Sequence, residues 1–400
     1  MPSDRNAIRD FARDHAGDLR RYLSDLVRAR TVNPPGDEHL AARVLTDFCR
    51  AQGIPFEVFE KQPGRTNVVA RVGSGRPRVV VPCHFDVVPA GDGWETDPFE
   101  PVEKDGFLYG RGTKDNKGPL AAMMLAAAYL KAREADLRGQ LVLVGCADEE
   151  AGSELGMKYL VTECGLEAEC AIVPDAGHAM RLIDVGEKGA LFTRLRAVGR
   201  QAHGSTPEKG ASALWPVVDF LTRIRSWRPP APPPGTPGAD LFTPSTLNVG
   251  AVHAGSVPNI VPGRCEALID CRYLPGTDGE AILKHLRDEV AAAAAGAPGV
   301  RMDLDVLSHQ PPTLAPGDHP MIALLERRTE EVTGIRPKRT GQSGATVAKF
   351  LIVAGIPAVG FSCGPESGEH MAGECISLAE LAQFAEVMTR VFLDLAGADT

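Results

Sequence analysis

Three short apolar runs, each stopping at or just before an acid or a histidine, limit what this chain can fold into. Arg78–Cys83 leads directly into His84, Leu141–Cys146 stops just short of Glu149-Glu150, and Cys170–Val173 stops just short of Asp175. Each run has strand length. Between the first two lies Leu120–Glu134, an Ala-rich stretch of helical length that opens after Gly118-Pro119. Proline is favoured at a helix start because its missing N–H had no intrahelical partner there. Buried strands alternating with helices predict a mostly parallel sheet covered by helices. In open sheets of this kind the loops at the carboxyl ends of the strands carry the chemistry.

At 400 residues the chain is too long for one typical core. Residues 4–29 read as one amphipathic helix with Phe11, Leu19, Leu23 and Leu26 near one face. A helix around Glu38–Gln52 and a strand at Asn67–Arg71 follow. The pattern then changes. Ala190–Ala197, Ser245–Val252 and Cys265–Tyr273 alternate as half-buried strands, while Ala211–Arg225 and Asp278–Ala295 have helical character. The proline-rich Arg228–Gly238 can be neither helix nor central strand. A β-α-β-β-α-β order over roughly 190–307 is that of a ferredoxin-like unit. From about His309 the helix–strand alternation returns, with a strand near Ala358–Ser362 leading toward His370. The expected division is a sheet domain of residues 1–189 and 308–400, interrupted by a smaller α+β domain of residues 190–307.

The composition, 44% hydrophobic and 24% charged, is that of a globular protein. A net charge of −9 with no basic tract argues against a nucleic-acid or anionic-membrane partner. The nine cysteines are odd in number, form no C-x-x-C pair and sit largely in apolar runs, so buried small side chains are expected rather than a disulfide framework. With no run near the ~20 apolar residues of a membrane span and a densely charged start in place of a signal peptide, a cytoplasmic protein is expected.

Taken singly, the polar residues at the run ends have ordinary readings: a structural His-x-Asp, a solvated acidic turn, a loop histidine. Together His84, Asp115, Glu150, Asp175 and His370 offer two imidazoles and three carboxylates, good ligands for zinc, cobalt or manganese. Three carboxylates and a hydroxide balance two divalent ions. If Asp115 bridges, each ion gains one histidine and one terminal carboxylate, the donor set of a two-metal site. Asp86, two residues past His84, is placed to accept the other imidazole N–H and fix its tautomer. The Glu149-Glu150 doublet holds one carboxylate more than the ions need, and the spare one is the natural general base.

At these residues the chain resembles the dinuclear-zinc metallopeptidase family of acetylornithine deacetylase, succinyl-diaminopimelate desuccinylase, aminoacylase and carboxypeptidase G. The likeness runs from about residue 5 to 396. It is carried by His84-Phe85-Asp86-Val87-Val88-Pro89, Trp94-Glu95-Thr96-Asp97-Pro98-Phe99, Tyr109 through Gly118, Asp148-Glu149-Glu150 with Gly152-Ser153, and Ala202-His203-Gly204-Ser205-Thr206-Pro207. The resemblance implies a zinc-exopeptidase-like, mostly parallel α/β sheet with helices on both faces, plus the inserted ferredoxin-like domain as a lid. It implies Asp115 as the bridging ligand before a cis peptide bond, His84 and Asp175 on one ion, Glu150 and His370 on the other, Glu149 as general base and Asp86 as orienting residue. His203 would reach the partner's active site in a homodimer formed through the lid and stabilise the oxyanion. Arg272 and Asn248 would hold the carboxylate and amide of a small-molecule substrate, and Ser343 would lie in a substrate-contacting loop. Gly344 stands where that loop often has aspartate, and the context Val173-Pro174-Asp175-Ala176-Gly177 has Asp where many deacylases have Glu. Around His370 the family's proline and asparagine are missing. The expected activity is hydrolysis of an N-acyl amino acid with two divalent ions, zinc foremost and cobalt or manganese possible. A dipeptidase or carboxypeptidase, and a non-catalytic metal-dependent binding protein, are the alternatives.

Overall fold

The computed structural model describes residues 2–175 and 178–396; Ala176, Gly177 and the chain ends of the expected sheet domain lie outside the described residues. The chain divides into two compact units. The first comprises residues up to Gly186, Ala315–Thr340 and the chain from Thr346 on; the second comprises Glu187–Leu314 and Gly341–Ala345.

In the first unit four parallel strands form the middle of the sheet, in the order Gln140–Cys146, Arg78–His84, Cys170–Val173, Ala358–Gly360. Thr66–Gly73 pairs antiparallel with Gln140–Cys146, Phe56–Glu60 pairs antiparallel with Thr66–Gly73, and Leu182–Glu187 pairs antiparallel with Ala358–Gly360. The strand alternation divides the core between two faces. Val80, Val142, Val144, Ala171 and Val173 pack with Met157, Leu160 and Leu351 on one side. Val79, Val81, Leu141 and Ile172 meet Met123, Leu130, Met388 and Phe392 on the other. Strands covered on both faces are apolar throughout, which is why they read as continuous runs. The helix Lys117–Lys131 is buried nearly all round because it packs on the sheet and against the helices Ala16–Arg28 and Leu378–Leu395. It starts three residues earlier than expected, with Pro119 at the third helical position, where an N–H still has no intrahelical partner.

The single helix expected over 4–29 is two helices, Pro2–Asp14 and Ala16–Arg28. His15 breaks the run: its ψ of 20° leaves the helical region, its Nδ1 bonds the Phe11 carbonyl at 2.9 Å, and Gly17 follows. Glycine lowers the local helix propensity.

The second unit is built from Gly189–Val198, Leu214–Ile224, Thr246–Ala254, Arg264–Tyr273, Gly279–Ala295 and Arg301–Gln310, strand-helix-strand-strand-helix-strand. Its four antiparallel strands lie with Thr246–Ala254 and Arg301–Gln310 at the edges and Arg264–Tyr273 and Gly189–Val198 inside. This is ferredoxin-like order. Leu191, Leu195, Ile269 and Cys271 face Val217, Phe220, Ile282 and Leu286 of the two helices, and the alternate residues form the other face of the sheet. Asp278 caps the second helix by accepting the Glu280 N–H. All nine cysteines are free. Among the described residues no helix is long and apolar enough to cross a membrane.

Candidate active site

Parallel register brings the strand ends together. His84 stands beside Cys146 in the ladder, so the chain leaving Cys146 turns into Asp148-Glu149-Glu150 next to the imidazole. Asp175 follows the neighbouring strand Cys170–Val173. Asp115 comes from the loop before the helix Lys117–Lys131, and the Asp115–Asn116 peptide bond is cis. His370 lies in the loop beyond Ala358–Gly360 and is half exposed.

Asp115 joins two clusters. Its Oδ1 is 2.8 Å from His84 Nε2, which lies 3.8 Å from Asp175 Oδ1. Its Oδ2 is 3.2 Å from His370 Nε2, which lies 3.3 Å from Glu150 Oε2. In each group, His84–Asp115–Asp175 and Asp115–Glu150–His370, the candidate ligand atoms all lie within 4.8 Å of one another. Glu149 belongs to neither group.

The electrostatics match an excess of negative charge. Burial and the Asp175 carboxylate push Glu149 well above the usual carboxylate range, and burial together with Asp115 raises Asp175. Burial opposes a charge on His84, but hydrogen bonds to Asp115 and Asp175 outweigh it and raise its pKa. The Asp115 and Glu150 carboxylates raise His370 to about 10. Glu150 Oε1 is buried with no hydrogen-bond partner among the described residues. Such an orphaned oxygen, in a mixed imidazole and carboxylate set, fits divalent ions.

The Asp86 carboxylate lies beside His84 and also has a second set of partners. The His84 Nδ1 bond runs to the Asp86 backbone carbonyl at 2.9 Å, while the carboxylate Oδ1 is 3.6 Å away. That carboxylate accepts the backbone N–H groups of Glu149 and Glu150, each at 3.1 Å, and Asn33 Nδ2 at 2.9 Å.

Glu374 is a buried residue whose part no local pattern gives away. It accepts from Arg111 Nη1 at 2.6 Å and from the amides of Gly112, Lys114 and Asp115 at 3.0, 2.8 and 3.1 Å. Gly112, at φ +86°, supplies the left-handed turn on which this cradle depends. Its sequence signal is its place at the end of Gly368–Glu374, the segment around His370 that resembles the family's, and that gives it no role.

Four further candidates belong to the second unit. Asn248 stands opposite Asp270, and Thr246 opposite Arg272, on one face of the four-stranded sheet. Arg272 Nε donates to Asp270 at 2.8 Å and its guanidinium lies 4.8 Å from the Phe192 ring centre. Ser343 Oγ is 3.1 Å from Thr243 Oγ1. His203 is exposed and its Nδ1 is 2.7 Å from Ser205 Oγ.

A family model described as peptidase family M20/M25/M40 matches residues 80–394. The chain belongs to this family. Among M20 relatives it is similar to a succinyl-diaminopimelate desuccinylase of Acidiphilium cryptum, 31% identical over 92% of this chain and 95% of that protein. It is also similar in structure to a tripeptidase from Staphylococcus aureus (TM-score 0.78, 22% identity, covering 95% of this chain and 98% of that one). An M20 family metallo-carboxypeptidase from Sulfolobus solfataricus gives a TM-score of 0.78 at 20% identity, covering 95% and 99%. These structural likenesses establish the shared M20 α/β fold. Family membership and the two ligand clusters make the protein an M20 metallohydrolase that uses divalent metal ions.

Proposed function

We propose that the protein hydrolyses the amide bond of an N-acyl amino acid. The observation that carries this is the two-sided Asp115, with a histidine and a carboxylate beyond each oxygen and Glu149 left over. His84 and Asp175 would hold one ion, Glu150 and His370 the other, with Asp115 shared; zinc is the metal we favour, with cobalt or manganese as substitutes. Bound there, the ions supply Lewis acidity toward the amide carbonyl and lower the pKa of water. Glu149 takes a proton from the attacking water at its carboxylate and delivers it to the departing nitrogen. The Asp86 carbonyl holds the His84 tautomer, and the Asp86 carboxylate holds the turn that carries Glu149. Arg272, steadied by Asp270 and Phe192, receives the substrate carboxylate through its remaining N–H groups. Asn248 and Ser343 bond the substrate amide, and His203 donates to the oxygen that gains negative charge.

The desuccinylase likeness over nearly the whole chain supports a deacylase. Asp175, where many deacylases have Glu, favours the second reading, a dipeptidase or carboxypeptidase with the same residues in the same roles. We place the enzyme in the cytoplasm, on its nine free cysteines, as a homodimer through the second unit with His203 acting across the interface.

The test is product formation on N-acetyl, N-succinyl and N-formyl amino acids and on dipeptides, with zinc, cobalt or manganese added. Cleavage of one acyl class that disappears in Glu149→Gln supports the deacylase. Cleavage of dipeptides alone moves the protein to the peptidases, and a fully active Glu149→Gln enzyme refutes the mechanism.

A further inference from the structure

Three successive backbone amides in the turn after the strand Gln140–Cys146 are given to buried carboxylates. The Glu149 and Glu150 amides go to Asp86, and the Asp148 amide goes to Glu38 Oε1 at 3.2 Å. Asp148 itself has φ +65°, a left-handed conformation that a non-glycine residue holds only when its surroundings fix it.

Glu38 is fully buried and is gripped by a guanidinium fork: Arg65 Nε donates to Oε2 at 2.7 Å and Nη2 to Oε1 at 2.8 Å. Nη2 also donates to Asp148 Oδ1 at 2.9 Å. The other Asp148 oxygen accepts the Leu155 amide at 3.1 Å, and Asn33 Nδ2, bonded to Asp86, lies 3.5 Å from Asp148 Oδ1. Glu38, Arg65, Asp148 and Asp86 thus grip the turn from both ends. The pair has no spare room: a Cβ on Gly36, at φ +118°, would collide with the guanidinium and with Glu38.

A buried ion pair contributes little net stability against an apolar pair of the same volume. What a bidentate fork adds is direction. We infer that Glu38 and Arg65 are positioning residues that aim the Glu149 and Glu150 side chains by fixing the backbone of Asp148. Neither touches a candidate ligand atom, and both act through Asp148. The inference rests on the roles proposed above for Glu149 and Glu150.

The variants are Glu38→Gln, which keeps the shape and removes the charge, and Arg65→Lys, which keeps the charge and removes the fork. The first readout is titration of the apoprotein with Co2+, followed by visible absorption. The second is kcat and KM on the N-acyl amino acid or dipeptide that the wild type cleaves. The thermal midpoint of each apoprotein is measured alongside. Loss of a residue that orients metal ligands typically weakens metal binding or activity about 10–100-fold. Each variant is expected to bind the more weakly held cobalt ion about 10–100-fold less tightly, with kcat reduced by a similar factor and KM little changed. The double variant should lose no more than the worse single one, because the two residues act as one device. Wild-type cobalt affinity and kcat in folded Glu38→Gln and Arg65→Lys overturn the inference. So do losses that multiply in the double variant, or that follow only the fraction unfolded. Failure of the proposed function is seen separately, as a wild-type apoprotein that takes up fewer than two cobalt ions or a Glu149→Gln enzyme that remains active.

Discussion

Replacing Glu374 by glutamine should damage the first unit more than its near-identical shape suggests. The glutamine oxygen can keep the Lys114 and Asp115 amides, which both go to Glu374 Oε1. Its NH2 group then takes the place of Oε2, which accepts from Arg111 Nη1 at 2.6 Å and from the Gly112 amide at 3.0 Å. Donor meets donor. Loss of the charge-assisted bond costs about 1.5–3 kcal/mol, and a stranded buried N–H about 1–3 kcal/mol. Arg111, only 1% exposed, would also lose its carboxylate, and breaking a buried pair from one side costs about 3–5 kcal/mol. These overlap, so about 3–5 kcal/mol is expected in all. Trp94 makes the measurement local, because the Arg111 guanidinium lies 5.3 Å from its ring centre. The other tryptophans, Trp215 and Trp227, can be replaced by phenylalanine so that fluorescence during urea unfolding reports this region alone. A Glu374→Gln apoprotein whose unfolding curve superposes on that of its parent would refute the cradle as the support of the Asp115 loop.

Two further outcomes follow from the geometry. His370 is held up at about 10 by the Asp115 and Glu150 carboxylates, and it can ligate only as neutral imidazole. Zinc uptake by the apoprotein should therefore release a proton at pH 7.5, and affinity should rise with pH toward about 10; calorimetry in buffers of different ionisation enthalpy checks this, and uptake without proton release contradicts it. Gly145→Ala would drive a methyl group into the Phe85 ring, which is fully buried beside it. The cost of overpacking is about 1–3 kcal/mol, seen as a lower thermal midpoint of the apoprotein, and an unchanged midpoint would mean the ring can yield.

The residues that the chain presents one after another at strand ends were legible in the sequence. His84, Glu149-Glu150 and Asp175 each follow an apolar run, and parallel register makes the ends of such runs neighbours. The β-α-β-β-α-β unit was legible for the same reason, since its alternation is local. What could not be read is pairing across long separations. Glu374 meets Arg111 across 263 positions and Arg65 meets Asp148 across 83, and neither end carries a local period or motif that names its partner. The break at His15 was missed because the apolar spacing runs straight through it, while the backbone turns away on one side-chain bond to Phe11. The second set of partners of Asp86 is hidden for a similar reason: the spacing from His84 points at the imidazole, and only the folded loop puts the carboxylate under the Glu149 turn as well.

The strand Ala358–Gly360 lies between Cys170–Val173 and Leu182–Glu187, which precede it in the chain by the whole second unit. Synthesis delivers these pieces in a fixed order. The six elements of the ferredoxin-like unit emerge as one continuous segment and can complete their core while the sheet made before them still has a gap. Domains usually finish in the order they are made; here the middle of the chain has all of its elements before the sheet begun ahead of it does. His370 and Glu374 emerge later still, long after their partners in the site, His84, Asp115 and Glu150. The Asp115–Glu150–His370 group can therefore be completed only after the whole ferredoxin-like unit has been made.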